Sequence, residues 1–333
     1  MPRVLVCLVL FVAFSLWALG GTAISSAVAG PTKKPERVDP RHSLPASIMD
    51  KPFMFAGEVV PLHREDVRNR IQFQLNFLLL DARSVVTLWL TEESRQAWIL
   101  EEIFEKEGIP REFVWLAPIM SRMKRGGVRR YEAGMWALEK PCSSESGLDM
   151  VSNESFDDRL DVDLATRCFA ATIKRVREKL GTKSWLMAAA AYMASPESVD
   201  TRMQRWNSKS FWDIPFDDNP EILIPRWIAL TIIGTHGPYY GLTFKKPAPL
   251  TFDQVTGLVL TKDLPIADIA RMTGTPPREI LKLNPKIKPS AGRFPAKVSG
   301  KNRAHTIAAP RGKGWVLVNK LKKEGFLAAG EKR

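Results

Sequence analysis

The stretch GIPREFVWLAPIMSRM, Gly108 to Met123, decides how the rest of the chain is read. Pro110 suits the first turn of a helix, where its missing N–H is not needed. Glu112 lies in that turn and favours the positive end of the helix dipole. Phe113, Leu116, Ala117 and Met120 then recur at i, i+3, i+4 and i+7, the spacing of a buried helical face. Taken alone, the stretch describes any core helix.

Working outward, both flanks predict helices. A helical region opens at Val59, with Val67, Ile71, Leu75, Leu78 and Leu79 at helical spacing. Thr91 is the expected cap of a second helix, with Glu92 and Glu93 in its first turn and Trp98, Ile99, Ile103 and Phe104 as its apolar residues. Gly108 closes that helix as a C-cap glycine. Downstream, Cys142 to Glu154 reads as a Ser-rich loop. A long helix is predicted from Val162 to Leu180, with Leu164, Cys168, Ala171 and Val176 facing inward. Trp185 to Tyr192 forms a short alanine-rich helix, whose small side chains place Ala188 to Ala191 near the centre of the domain.

Four blocks, in order over roughly 120 residues, resemble the lytic transglycosylase domain of the membrane-bound murein transglycosylase D type. The quoted stretch resembles its Pro-x-Glu-Leu-x-x-Leu-Pro-x-x-Glu-Ser. Ala133-Gly134-Met135-Trp136 resembles its Ala-Gly-hydrophobic-Trp-Gln turn, and Ala190-Ala191-Tyr192-Met193-Ala194-Ser195-Pro196 its Ala-Ala-Tyr-Asn-Ala-Gly-Pro. Phe211-Trp212-Asp213-Ile214-Pro215 with Ile224-Pro225-Arg226 resembles its Phe-Trp-x-Leu-Pro and Val-Pro-Lys. Phe156-Asp157-Asp158-Arg159 also resembles the family's Tyr-Asp-x-Arg. The resemblance implies a mainly α, lysozyme-like (SLT) domain that binds murein glycan strands.

The same alignment removes the chemistry. Laid from Pro110, the family's catalytic Glu falls on Met120, and the Ser that follows is Ser121; laid from Pro118, Ser121 itself takes the acid's place. Ala137 replaces the Gln after the turn, Met193 the Asn after Ala-Ala-Tyr, and Ser195 the Gly. Glycosidic cleavage needs a group that protonates the leaving oxygen, and general acid–base action is worth about 100- to 10,000-fold in rate. A thioether has no proton to give. The implied function is therefore a peptidoglycan-associated protein of this family without its acid. Two alternatives stay open: an active enzyme with a displaced acid, giving a 1,6-anhydro product, or a non-enzymatic scaffold for cell-wall enzymes. Glu132 is the first candidate substitute, with Glu139 and Glu197 behind it. The implied substrate-binding positions are Ser121, Met135, Trp136, Ala137, Tyr192 and Met193. Trp136 and Tyr192 either stand near the cleft, since sugars stack on aromatic rings, or belong to the core. The basic loop Lys124–Arg130 either borders that cleft or is a solvated turn.

The remaining sequence sets the context. Arg3, the apolar run Val4–Leu19 and Ala27-Val28-Ala29 predict an export signal over residues 1–29, or an uncleaved membrane anchor. The formal net charge is +13, and such basic exported chains favour anionic surfaces; peptidoglycan stem peptides and anionic lipids fit, whereas no nucleic-acid motif appears. Localisation is expected in the periplasm. Cys142 and Cys168 either pair or stay free. Without nearby His they suggest no metal site, and no cofactor is expected. Residues 30–58 are read as a linker and residues 59–246 as the helical domain. Residues 251–325 form a small α+β domain in strand–helix–helix–strand order. It resembles a degenerate LysM module, a binder of N-acetylglucosamine chains.

Overall fold

Between Ala46 and Val60 the chain is already folded, so the linker expected through residue 58 gives way there. The computed structural model describes residues 42–92, 95–122, 134–142, 147–242 and 251–327. A short helix α1 (Ala46–Met49) leads into a hairpin, β1 (Phe53–Phe55) paired antiparallel with β2 (Glu58–Val60). Phe55 and Val60 are buried. Phe55 meets Trp227 edge-on at 4.8 Å between ring centroids. The Glu58 carboxylate accepts from the Ser184 hydroxyl at 2.9 Å and from the Leu186 N–H at 2.9 Å. It thus satisfies a donor at a distant helix start that would otherwise lack a partner. Pro and Lys in this stretch suggested a tether; Phe55, Val60 and the Glu58 carboxylate make it part of the core.

The predicted stripe Val67, Ile71, Leu75 is fully buried on α2 (Glu65–Asn76), and Leu78 and Leu79 follow on a widened π turn, Phe77–Asp81. Helix α3 (Arg83–Glu92) contains Thr91, whose hydroxyl donates to the Thr87 carbonyl at 2.7 Å. Thr91 therefore lies inside a helix rather than capping the next one, α4 (Ala97–Glu107). Gly108 closes α4 at φ +67 with its N–H on Glu105, as expected of a left-handed C-cap. The quoted stretch begins as a 3-10 turn, Arg111–Leu116, and continues as α5 (Ala117–Arg122). Phe113, Leu116, Ala117 and Met120 are all buried. The Trp227 indole N–H donates to the Glu112 carbonyl at 2.8 Å and fixes the start of the stretch.

Helix α6 (Val162–Lys179) is capped by Asp161, and its inner face is Ala165, Cys168, Phe169, Ile173 and Val176. Leu164 and Ala171, expected inward, are only half-buried. Helix α7 (Trp185–Met193), capped by Ser184, is buried from Trp185 to Ala191. Its alanines admit close neighbours, as their size predicts. Helices α8 (Pro196–Arg205) and α9 (Asn219–Thr235) complete the helical body. Gly234 in α9 lies against the Trp115 ring, leaving no room for a Cβ.

The C-terminal module contains a strand–helix–helix–strand succession and, between those elements, four short strands that the sequence reading did not include. Strand β3 (Phe252–Val259) is followed by β4 (Leu264–Pro265), α10 (Ile266–Thr273) and α11 (Pro277–Leu283). Then come β5 (Arg293–Phe294), β6 (Lys297–Val298), β7 (Lys301–Asn302), β8 (Ala304–Pro310) and α12 (Gly314–Lys323). β3 pairs antiparallel with β8 in a register that shifts between Val255 and Leu258. The architecture is mainly α, with short two-stranded sheets.

Among the described residues, the module's core contains one from the helical body. Phe156 is buried among the module's apolar residues and meets His305 edge-on at 5.9 Å. Around it the Asp157 N–H donates to the Lys286 carbonyl, Lys288 N–H to the Ser155 carbonyl, and Arg303 pairs with fully buried Asp158 at 2.7 Å. Lys286, also buried, pairs with Asp161 at 2.8 Å.

Candidate functional site

A cleft of about 770 Å³ opens beside the motif stretch. Its apolar floor is Ile119 and Met120 from α5, Ala137 and Leu138 from the turn, and Ala191 and Met193 from α7. α6 supplies one wall with Cys168, Thr172, Arg175, Val176 and Lys179. These positions lie at i, i+4, i+7, i+8 and i+11, one helical face. Ser195 and Pro196, at the start of α8, and Asn219 and Leu223, at the start of α9, close the far end.

The turn carrying Ala137 is held by Arg159. Its guanidinium donates to the Leu138 carbonyl at 3.2 Å, the Glu139 carbonyl at 2.9 Å, and the buried Asp157 carboxylate at 2.8 Å. Gly134, at φ +65, passes so close to the Arg159 carbonyl that a Cβ would collide with it. Ala137 also takes a positive φ, +50, a conformation that a β-carbon disfavours. The turn's other end is fixed covalently, by a disulfide between Cys142 and Cys168 with Cα atoms 5.8 Å apart. The pairing left open by the sequence is therefore made.

The structure sorts the predicted site residues. Met120, Ala137, Tyr192 and Met193 converge on the cleft. Trp136 does not: it is wholly buried, stacked on Phe169 at 3.9 Å, with its indole N–H on the Thr166 hydroxyl at 3.0 Å. Its role is to anchor the turn, because a Trp with a buried donor partner is most stable inside. Ser121 returns its hydroxyl to the Pro118 carbonyl at 3.2 Å, and the Met135 sulfur lies 3.8 Å from the Thr166 hydroxyl; neither lines the cleft. Glu132 and the basic loop Lys124–Arg130 lie outside the described residues.

Two further groups define the site's electrostatics. The Tyr192 hydroxyl donates to the Trp136 carbonyl at 2.7 Å. Burial, and then the nearby Glu139 charge, push its ionisation far above the usual tyrosine range. It is a fixed donor already engaged with the backbone. Among the described lining residues, Glu139 is the carboxylate, and it stands with Lys140, Arg175 and Lys179 at the exposed rim. Glu197 is turned away to an exposed ion pair with Lys179 at 2.5 Å; that hydrogen bond holds its carboxyl below the usual range. Among the described residues, the cleft floor thus offers no carboxylate, and the rim is predominantly basic. Among the described residues, no cluster of side chains suits a metal ion. Arg175 and Lys179 are the residues that sequence reasoning missed. Their signal was the polar i, i+4 stripe beside Cys168, visible once Cys168 is placed on the cleft side of α6.

No protein-family model matches the chain. It is similar to the membrane-bound lytic murein transglycosylase D of Escherichia coli strain K12, at 24% identity over 230 residues, covering 67% of this chain and 49% of that protein. The protein of the same name from Escherichia coli O6:H1 matches to the same extent. The chain spans about half the length of these relatives. Among the described residues, no helix is long and apolar enough to cross a membrane.

Proposed function

We propose that the protein is an exported, periplasmic, peptidoglycan-associated member of the lytic transglycosylase family that holds murein glycan strands without cutting them. The observation that carries this reading is the cleft floor: Met120, Ala137 and Met193 meet there, at positions where the resemblance calls for an acid and two amides. Protonating a glycosidic oxygen requires a tunable proton near it, and two thioethers and a methyl group supply none. The basic rim suits a strand carrying carboxylate-bearing stem peptides. A LysM-like role for the C-terminal module belongs to the same proposal.

One observation favours a second reading, an active enzyme with a displaced acid: Glu139 lies on the cleft wall. The test separates the two. Purified protein is incubated with sacculi, and both its retention and the release of 1,6-anhydromuropeptides are measured. Retention without release is expected. Release that is lost in Glu139→Gln or Glu132→Gln overturns the inert reading. No retention sinks the binding reading and leaves a scaffold for another wall enzyme.

A further inference from the structure

We infer that the crevice between the helical body and the C-terminal module is a second binding site, one for a single neutral sugar ring. It measures about 210 Å³ and is walled by α4 and α6 on one side, and by β3, β8 and the turn after α11 on the other. Neither body alone encloses it. Ligand sites favour such junctions.

Trp98 stands on its wall. On α4, Ile99, Ile103 and Phe104 are buried, yet Trp98 is 41% exposed. Its ring lies 6.2 Å from Phe252, across the junction, at 46°. Leaving so large an apolar plane in water forgoes a substantial hydrophobic gain, and a stacked ligand recovers it.

The charges around the crevice exclude an ion as the occupant. Arg167 pairs with Asp163 at 2.8 Å and Lys286 with Asp161 at 2.8 Å. Lys282 pairs with Glu279 at 2.8 Å, and Glu102 with Lys106 at 2.6 Å. A charged ligand would compete with a pair already made. What remains on the walls is neutral: the indole and phenyl faces, the amides of Gln96 and Gln254, and the Thr306 hydroxyl. Amides and hydroxyls both donate and accept, matching a ring that is polar at its rim and apolar on its C–H face. Pockets for drug-sized ligands span about 300–1,000 Å³, so this volume takes one ring and not a chain. The cleft on the other face of α6 has a basic rim instead. One helix therefore walls a neutral site with the paired Asp163 and Arg167 and a cationic-rimmed cleft with Arg175.

The test is calorimetric titration of the full chain with tri-N-acetylchitotriose, an uncharged probe. Wild type is expected to bind, Trp98→Ala to bind at least tenfold more weakly, and Trp98→Phe to keep most of the affinity. Gln254→Ala, on the opposite wall, is expected to weaken binding severalfold, which guards against a local disturbance of α4. Arg175→Glu is expected to leave the titration unchanged. Absence of binding by wild type, or equal affinity in Trp98→Ala, overturns the inference. So does loss of binding in Arg175→Glu, since that puts the sugar in the cleft. Retention on sacculi, measured beside it, reports on the cleft separately: retention unaffected by Arg175→Glu counts against the cleft reading without touching the crevice.

Discussion

Arg159 donates to the Glu139 carbonyl at 2.9 Å while its other nitrogens grip the carboxylate of Asp157. A single guanidinium thus ties the cleft's turn to the segment that leads into α6. Removing one partner of a buried ion pair costs about 3–5 kcal/mol, because the other charge is left stranded. Arg159→Ala is expected to destabilise the protein by about that much and to abolish retention on sacculi. Arg159→Lys is expected to recover little, since one ammonium cannot reach both carbonyls and the carboxylate in the planar fork. Urea unfolding and the sacculus assay check both.

The disulfide between Cys142 and Cys168 closes a separation of 26 residues. Chain-entropy arguments put its contribution at about 3–4 kcal/mol for such a loop. Reduction, or the double change Cys142→Ser and Cys168→Ser, is expected to lower stability by that order. It should also weaken binding in the cleft, because the turn is anchored there at one end only. Denaturation with and without reductant measures the first effect, and sacculus retention the second.

Met120→Glu places a carboxyl on a floor whose residue is 7% exposed. Desolvation disfavours its charged form and raises its pKa above the unfolded value of about 4.3. The folded state then holds the proton more tightly than the unfolded one. The penalty, about 2–4 kcal/mol at neutral pH, shrinks as pH falls toward 4 and is full well above the raised pKa. Thermal unfolding from pH 4 to 8 should show the variant approaching wild type at the acid end. Release of 1,6-anhydromuropeptides should stay at trace level or below, because Ala137 and Met193 offer no donors to orient the sugar.

His305 supplies a pH dependence in the opposite direction. Burial pushes its imidazole down to about 4, with Lys286 and Arg303 adding to the effect, although its ring hydrogen-bonds the Pro295 carbonyl at 2.7 Å. An unfolded imidazole titrates near about 6.5. Between those values the unfolded chain binds a proton that the folded chain refuses. Stability is therefore full above about pH 6.5 and is lost as pH falls toward 4, by about 3 kcal/mol in all. Nearby Asp158, whose carboxyl burial raises, works against this at the acid end. His305→Gln is expected to flatten the melting-temperature profile between pH 7 and 4.5.

What the sequence revealed, and what it hid, follows from the range of the forces involved. The face Phe113–Met120 and the C-cap Gly108 were legible, because helical periodicity and left-handed glycine are local signals. The module's strand–helix–helix–strand order was legible for the same reason. Trp136 was left between cleft and core because nothing in a turn's own residues states which way an indole points; its partners, Thr166 and Phe169, come about thirty residues later. The hairpin ending at Val60 was hidden behind a Pro- and Lys-rich approach, and Glu58 finds its use only at Ser184. Convergence of Met120, Ala137, Tyr192 and Met193 was expected from motif order alone and required the folded chain to be seen.

Phe156 completes a core to which it does not belong by chain order. A fragment cut before residue 251 would display a bare phenyl ring and the carboxylate of Asp158. The excised remainder would carry a hole in its interior and an orphaned Arg303. The C-terminal piece is thus no portable cassette: it is keyed to this one body, and any swap onto another protein would have to bring the Phe156 loop along.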